Sequence, residues 1–497
     1  MKKNKEIIIL LLIVAFGAFL RFYNLGEPSC FNDELETLRV AKYSTISEMI
    51  NQGIIPDVHP PGFQVIMFYV VHYIGDSEFW LRFPMALIGI LSIPMIYVLG
   101  KYLYSSREGL ISALMVTVLW APLFYSQEAR SHSMIFLLSI MTTLYWLKIL
   151  NEYSQDKNPK TTWIVIYIVF AIISIYTHYL IMFYIFLQGL FTLVYFLRSP
   201  KYLLRFFIIF IIIIISYLPW LPYAIQHFQN SPSWITKPSI FAFGYFLAFL
   251  FNLSPYVLFI AVTSYIFLLV YAIKNKHFYK NQFFMSQDLF LLLWLVVPFF
   301  IIFIKSLISK PTLTNYGLLL SGPAAYILFA RGITTLKLKE KWQNLVAILI
   351  FLFITWQIIF DFNYYGEPYK DKVVIFGKSI KKRTKQMFRE AAQYVKSYDS
   401  KYPNSIIAGY AWFPDYFNYY FNQIGYDRTV DIHVLDAKDT TKFQNIKIQF
   451  PEEEYIWVLR GHKEYDSNYF DWMKDNFKLI HYEPMIGADV WLYKIPK

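Results

Sequence analysis

Cys30-Phe31-Asn32-Asp33-Glu34-Leu35-Glu36 stands a few residues beyond the apolar run Ile7 to Phe22 and opens a stretch that passes through His59-Pro60-Pro61 and ends near Pro84. If the run before it crosses a membrane, the two adjacent carboxylates lie where membrane meets water. There they can reach a lipid-linked and a soluble substrate at once. A plainer reading makes Asp33 the cap of a short surface helix, since Asp before Glu-Leu-Glu-Thr-Leu is a good helix start. The pair alone does not choose between the two readings.

Composition settles the setting. The 497 residues are 57% hydrophobic, 20% aromatic and 16% charged, whereas soluble domains carry about 25% charged residues. Runs such as Ile7 to Phe22, Leu203 to Leu221 and Leu289 to Ile304 with their flanks approach the roughly 17 to 25 residues that cross a bilayer. The first run follows Met1-Lys2-Lys3-Asn4-Lys5 without a small-x-small cleavage site, so it is expected to be retained as a span. The net charge of +12 sits mainly at span ends, which makes it a topology signal and not a nucleic-acid signal. Cys30 is the only cysteine, which excludes an internal disulfide and a Cys-rich metal site.

The basic N-terminus places the start of the chain in the cytoplasm and the loop after Tyr23 outside. Further spans are expected at about Phe83 to Tyr104, Gly109 to Ser126, Ser131 to Leu150, Thr161 to His178, Ile181 to Leu197 and Leu203 to Pro222. Gly62 to Gly75 is apolar but short, and counting it as a crossing would invert every later loop, so it reads as a helix lying on the membrane. Residues 24–83 then form one external loop. Asn252-Leu253-Ser254-Pro255 breaks the next apolar run, and Asp288 to Lys305, Asn315 to Phe329 and Leu345 to Phe360 complete the set. The expected fold is an all-α polytopic membrane domain of about 11 to 13 transmembrane helices, residues 1–361, followed by a small extracytoplasmic α/β domain, residues 362–497. In the latter, Thr384 to Ser397 has helical spacing, Ser405 to Tyr410 reads as a strand before a helix at Pro414 to Gln423, and strands at Tyr455 to Leu459 and Val490 to Tyr493 flank a helix near Tyr469 to Phe477. The protein is expected in the plasma membrane, with the N-terminus cytoplasmic and the C-terminal domain outside.

Ionisable groups at span ends are informative because charge in or near a bilayer is costly and usually paired or functional. The outer face collects Asp33, Glu34, His59, Arg82, Glu128, Arg130, His132, His178 and Lys310, with Tyr316 just inside the following span. Carboxylates facing cations suit a reaction in which a base deprotonates an acceptor while cations hold a phosphate leaving group. Plain structural readings stand beside this one: Arg82 as a snorkelling span-end residue, Glu128 and Arg130 as a local ion pair, His178 as a satisfied interfacial histidine, Lys310 as a flank anchor and Glu36 as part of a solvated helix face. No HExxH or comparable spacing supports a metal site, and a divalent cation is left open as the one cofactor to test.

Taken in order, these residues resemble a family. Asn32-Asp33-Glu34 after the first span is similar to the Asp-Glu motif of the GT-C polyprenyl-phosphate-dependent glycosyltransferases, the group of the protein O-mannosyltransferases and the lipid A aminoarabinose transferases (family 39/83-like). His59-Pro60-Pro61-Gly62-Phe63, Ser77-Glu78-Phe79-Trp80-Leu81-Arg82-Phe83-Pro84, Tyr125-Ser126-Gln127-Glu128-Ala129-Arg130-Ser131 and Thr177-His178-Tyr179 resemble further family segments in the same order, across about residues 5 to 335. The resemblance implies that Asp33 is the general base and that Glu34 supports the site. It also implies that His59, Arg82, Glu128, Arg130, His178, Lys310 and Tyr316 serve the donor phosphate or substrate. Two departures stand out. His132 replaces a usual Tyr, and Asn315-Tyr316 replaces a usual Arg-Tyr, so Lys310 or Lys305 is expected to supply the missing charge.

The implied activity is inverting transfer of a sugar from a polyprenyl-phosphate donor to a protein, lipid or envelope-glycan acceptor on the outer face. An envelope glycan polymerase or ligase shares the donor, but its large external loop is expected late among the spans, whereas here it follows the first. A transporter would show matched halves with interrupted spans in corresponding positions, and the sequence shows no such repeats.

Overall fold

The computed structural model describes residues 2–229, 235–274, 287–366, 372–375, 378–381, 386–462 and 465–496. The chain forms two compact units: residues 1–25, 40–76 and 80–382 make the first, and residues 26–39, 77–79 and 383–497 make the second. Where the sequence suggests a single boundary between residues 361 and 362, the units interleave, and the stretch with Asp33 and Glu34 groups with the C-terminal residues. Each unit is described by itself.

The first unit is helical apart from the antiparallel strand pair Lys372–Ile375 and Lys378–Lys381. Among the described residues seven helices are long and apolar enough to cross a membrane, an eighth if the bent pair Ser106–Val118 and Trp120–Gln127 counts as one span, and Thr161–Thr177 and Leu180–Tyr195 are shorter apolar helices. With the first helix, Lys2–Phe22, every expected crossing has its helix. Phe186 and Phe207 are 65% and 60% exposed on their helices, as expected where the outer face of a bundle meets lipid. Backbone polar groups there have no water to turn to, so helices close their own hydrogen bonds. The chain is a multi-pass membrane protein.

Interruptions of the spans are repaired by buried polar side chains. The pair before and after Leu119 is bent by 62°. At this break the Trp120 N–H donates to Asn252 Oδ1 at 2.7 Å. Asn252 itself sits in the break expected from Asn252-Leu253-Ser254-Pro255, where Asn252 and Leu253 take left-handed φ values of 67° and 49°. Gln357, in a π-helical turn at the end of Glu340–Trp356, donates to Ser254 Oγ at 2.9 Å. Elsewhere in the unit Glu108 accepts from Arg331 at 3.1 Å and from Thr334 Oγ1 at 2.7 Å. That pairing joins two helices through a buried charge with its hydrogen bonds made.

The short apolar segment is the helix Pro61–Tyr73, well under the roughly 20 residues of a crossing. It approaches Thr161–Thr177 so closely that a Cβ on Gly62 would lie 2.6 Å from the Tyr176 carbonyl oxygen. Only glycine fits there without moving backbone.

The second unit is α/β. Its five-stranded sheet runs Ile432–Val434, Ser405–Ala411, Tyr455–Gly461, Val490–Lys494, Lys478–Glu483; the first three are parallel and the remaining pairings antiparallel. One face packs Ile406, Ala408, Tyr410, Val458 and Trp491 against Tyr469, Phe470 and Met473 of the helix Ser467–Asn476. On the helices Phe388–Tyr398 and Tyr416–Gln423, Phe388 meets Phe417 with ring centroids 5.2 Å apart. Two strands of this sheet escape sequence reading, Ile432–Val434 and Lys478–Glu483. They are the edges of the sheet, where short or polar strands are usual and the alternation of apolar residues is weak.

Candidate active site

In the helical unit, the connectors between helices bring together several of the expected residues. Pro60 and Pro61 open the helix Pro61–Tyr73, with Pro60 extended and Pro61 in the first turn, so proline fixes the backbone just after His59. His59 Nδ1 lies 2.8 Å from Asp57 Oδ2, and its Nε2 lies 3.2 Å from an Arg130 terminal nitrogen. A guanidinium only donates, so Nε2 accepts and the ring proton sits on Nδ1, donated to Asp57. Burial alone would raise the Asp57 carboxyl. The hydrogen bond from His59, with the Val58 N–H and the Arg130 guanidinium, outweighs burial and holds it well below the usual carboxylate range.

His178 lies in the connector between Thr161–Thr177 and Leu180–Tyr195, outside both helices. Its Nδ1 accepts from the Leu180 N–H at 3.2 Å, which leaves the proton on Nε2. Burial, with lesser contributions from His59 and Arg130, pushes this imidazole down to about 3. His178 is therefore a neutral N–H donor throughout the physiological range. Its ring centroid is 6.5 Å from that of His132, which is 5.0 Å from Tyr316 and 4.9 Å from Tyr125. A second histidine braces the same region: His227 Nε2 donates to the Ile55 carbonyl at 2.9 Å, so its Nδ1 accepts from Tyr179 Oη at 2.6 Å.

The segment Tyr125 to Ser131 divides its work by position. Gln127 donates to the carbonyls of Leu20, Arg21 and Tyr23 at 3.2, 3.0 and 3.3 Å, closing the C-terminal end of the first helix. Glu128 is wholly buried, and Arg130 reaches His59. Arg82 is 1% exposed and donates to the Leu25 carbonyl at 2.9 Å. That burial rules out the snorkelling reading. Lys310 is exposed and donates to the Gln229 carbonyl at 3.0 Å, while Lys305 donates to the Lys310 carbonyl at 2.8 Å. Both lysines thus anchor a connector.

In the α/β unit, Asp33 and Glu34 occupy the first turn of the helix Asn32–Ala41, where carboxylates suit the helix dipole. Glu34 is 0% exposed, and its Oε2 accepts from the Phe31 N–H at 3.2 Å. This is the reach-back half of a capping box. The capping duty that the sequence offers to Asp33 thus falls to Glu34, and Asp33 stays half-exposed. Glu36 accepts a bidentate contact from Arg39 at 2.8 and 2.6 Å and the Tyr416 hydroxyl at 2.6 Å. Among the described residues no group of three or more His, Cys, Asp or Glu side chains is placed to hold a metal ion.

Sequence reasoning passed over Asp57, Gln127 and His227. Only Gln127 carried a signal, lying inside the segment that contains Glu128 and Arg130. Asp57 has the weaker mark of standing two residues before His59.

Residues 58–220 match the family model described as dolichyl-phosphate-mannose-protein mannosyltransferase. Among solved structures, ArnT from Cupriavidus metallidurans in the apo state aligns with a TM-score of 0.60 at 12% identity, covering 97% of each chain. The chain has the GT-C glycosyltransferase fold. ArnT bound to undecaprenyl phosphate aligns with a TM-score of 0.58 at 12% identity, again over 97% of both chains. The archaeal oligosaccharyltransferase AglB from Archaeoglobus fulgidus aligns over 92% of this chain and 70% of its own, at 12% identity and a TM-score of 0.48. No curated protein matches the sequence. The segment that the family model matches takes in His59, Arg82, Glu128, Arg130 and His178, and ends before Lys310 and Tyr316.

Proposed function

We propose that this protein transfers a sugar from a polyprenyl-phosphate donor to a hydroxyl-bearing acceptor at the outer face of the membrane, with Asp33 as general base and inversion at the anomeric carbon. The observation that carries the reading is the contact of Arg130 with His59, 3.2 Å apart and backed by Asp57 at 2.8 Å. A guanidinium oriented by an imidazole at the ends of apolar helices forms a seat for a phosphate whose lipid tail stays in the bilayer. An apolar groove of about 510 Å³ between Thr161–Thr177, Leu180–Tyr195 and Pro200–Tyr217 is lined by Ile175, Phe186, Leu190, Ile214 and Tyr217 among others. Ile175 stands three residues before His178, so an isoprenoid tail in this groove would lead toward that connector.

In the reaction the acceptor oxygen attacks the anomeric carbon as Asp33 takes its proton. The bond from that carbon to the phosphate oxygen breaks, and polyprenyl phosphate leaves with the electron pair. Arg130, held in place by His59, carries the developing phosphate charge, and the neutral His178 Nε2–H is a further donor in the same cluster. Arg82 and Gln127 hold the chain around the site, and Glu34 holds the turn that presents Asp33. Addition and chelation of a divalent cation belong in the assay. On this reading the N-terminus is cytoplasmic and the α/β domain extracytoplasmic. A protein, a lipid headgroup and an envelope glycan all remain as acceptors.

The test uses purified protein in bilayers with radiolabelled polyprenyl-phosphate sugars, comparing wild type with Asp33→Asn and locating label in protein, lipid and polysaccharide fractions. Transfer by the wild type alone is the expected result, because general base catalysis contributes about 10²- to 10⁴-fold. Near-normal transfer by a folded Asp33→Asn protein would overturn the assignment of the base. Label extended into polymer would point instead to a glycan polymerase.

A further inference from the structure

Asp33 gains its fixed position from residues at the far end of the sequence, all within the α/β unit. The N–H of Asn32, the first residue of the helix Asn32–Ala41, is one of the donors that a helix start leaves unsatisfied. Gln386 Oε1 accepts it at 2.8 Å. The same Gln386 side chain contacts His462 Nδ1 through its amide nitrogen, and its backbone carbonyl accepts from Ser29 Oγ. Ser29 Oγ also lies 3.1 Å from Glu390 Oε2, and the Cys30 N–H donates to the Tyr420 hydroxyl at 2.5 Å. Gln386 is held on a further side by Gly487, whose φ is +66° and where a Cβ would lie 2.8 Å from Gln386 Cγ. With 9% of its surface exposed, Gln386 is a buried amide whose acceptor faces Asn32 and whose donor faces an imidazole lone pair. A side chain of this length with one oxygen for the Asn32 N–H and a second polar atom for His462 meets the two groups at once.

We infer that Gln386 is a positioning residue for the reaction, fixing the N-terminal turn of the helix Asn32–Ala41 so that Asp33 presents its carboxylate at one angle. The inference rests on Asp33 being the base. It assigns the C-terminal domain a part in the chemical step, beyond any part in acceptor docking. Loss of the two amide contacts frees the turn, and a displacement near 1 Å at a catalytic group costs about 10²-fold.

The experiment compares Gln386→Met, Gln386→Glu, Ser29→Ala and Asp33→Asn in the full-length protein. Readouts are the transfer assay and amide hydrogen exchange by mass spectrometry. Met has nearly the length of Gln and can make neither bond. Glu keeps the acceptor for Asn32 and can accept from His462 in its Nδ1–H tautomer. Expected for Gln386→Met is a fall in kcat of about 10- to 100-fold with the donor KM unchanged. Exchange should quicken in residues 28–38, while the strands Ser405–Ala411 and Tyr455–Gly461 stay protected. Gln386→Glu should recover much of the rate, and the milder Ser29→Ala should show the same pattern at smaller size. Wild-type kcat in folded Gln386→Met, with Asp33→Asn inactive, would overturn this inference alone. Exchange that quickens across the strands as well would make Gln386 a residue of the fold and overturn it equally. Turnover by Asp33→Asn would bring down the proposed base, and this inference with it.

Discussion

Arg130→Gln tests the phosphate seat most directly. In the structure Arg130 donates to His59 Nε2 at 3.2 Å, and the substitution keeps a polar amide of lesser reach while removing the charge. Full Coulomb attraction between a guanidinium and a phosphate about 4 Å apart is near 4 kcal/mol at an effective dielectric constant of 20. Desolvation and ordering consume part of this, and charge-assisted hydrogen bonds contribute about 1.5–3 kcal/mol net. At about 1.4 kcal/mol per tenfold, the dissociation constant for polyprenyl phosphate should rise about 10- to 100-fold. The assay is lipid binding to protein in nanodiscs, with the parent polyprenol as a ligand that lacks the phosphate. Polyprenol affinity should not change, and Arg130→Lys should recover part of the phosphate affinity, since the charge returns without the planar fork. Equal affinity of wild type and Arg130→Gln for the phosphate lipid would refute the seat. So would an equal loss for both lipids.

The two carboxylates of the opening motif should separate cleanly. Asp33→Asn should lose about 10²- to 10⁴-fold in kcat at unchanged thermal stability, whereas Glu34→Ala should lower stability by about 1–3 kcal/mol by leaving the Phe31 N–H without its buried acceptor; thermal unfolding beside turnover distinguishes them. Asp57 gives a pH prediction. Its carboxyl is held below its ordinary value near 4, so its contribution is full above that value and fades as pH falls below it; the melting-temperature deficit of Asp57→Asn should be constant from pH 8 to pH 5 and shrink below pH 4. Asn252→Ala removes the acceptor of the Trp120 N–H at the bend, 2.7 Å away, and should cost about 1–3 kcal/mol in unfolding by denaturant, with polyprenyl-phosphate affinity unchanged.

The sequence determined by itself whatever depends on the partition of side chains between lipid and water. Apolar runs long enough to cross a bilayer became helices close to their expected bounds, because each helix closes its own backbone hydrogen bonds whatever its neighbours are. The break at Asn252 to Pro255 was legible for the same local reason, as was the helix start at Pro61. The motif order also pointed to His59, Arg130 and His178 as a set. The tertiary structure alone decided which groups those residues meet. Periodicity cannot show that His59 shares its two nitrogens between Asp57 and Arg130, or that Lys310 donates to the Gln229 carbonyl. Nor can it show that Glu34 turns inward as a cap while its neighbour Asp33 keeps an open side. A long step is the one between Asn32 and Gln386, 354 residues apart in sequence. A hydrogen bond between two such positions depends on the path of the whole chain between them, and no local pattern of residues encodes it.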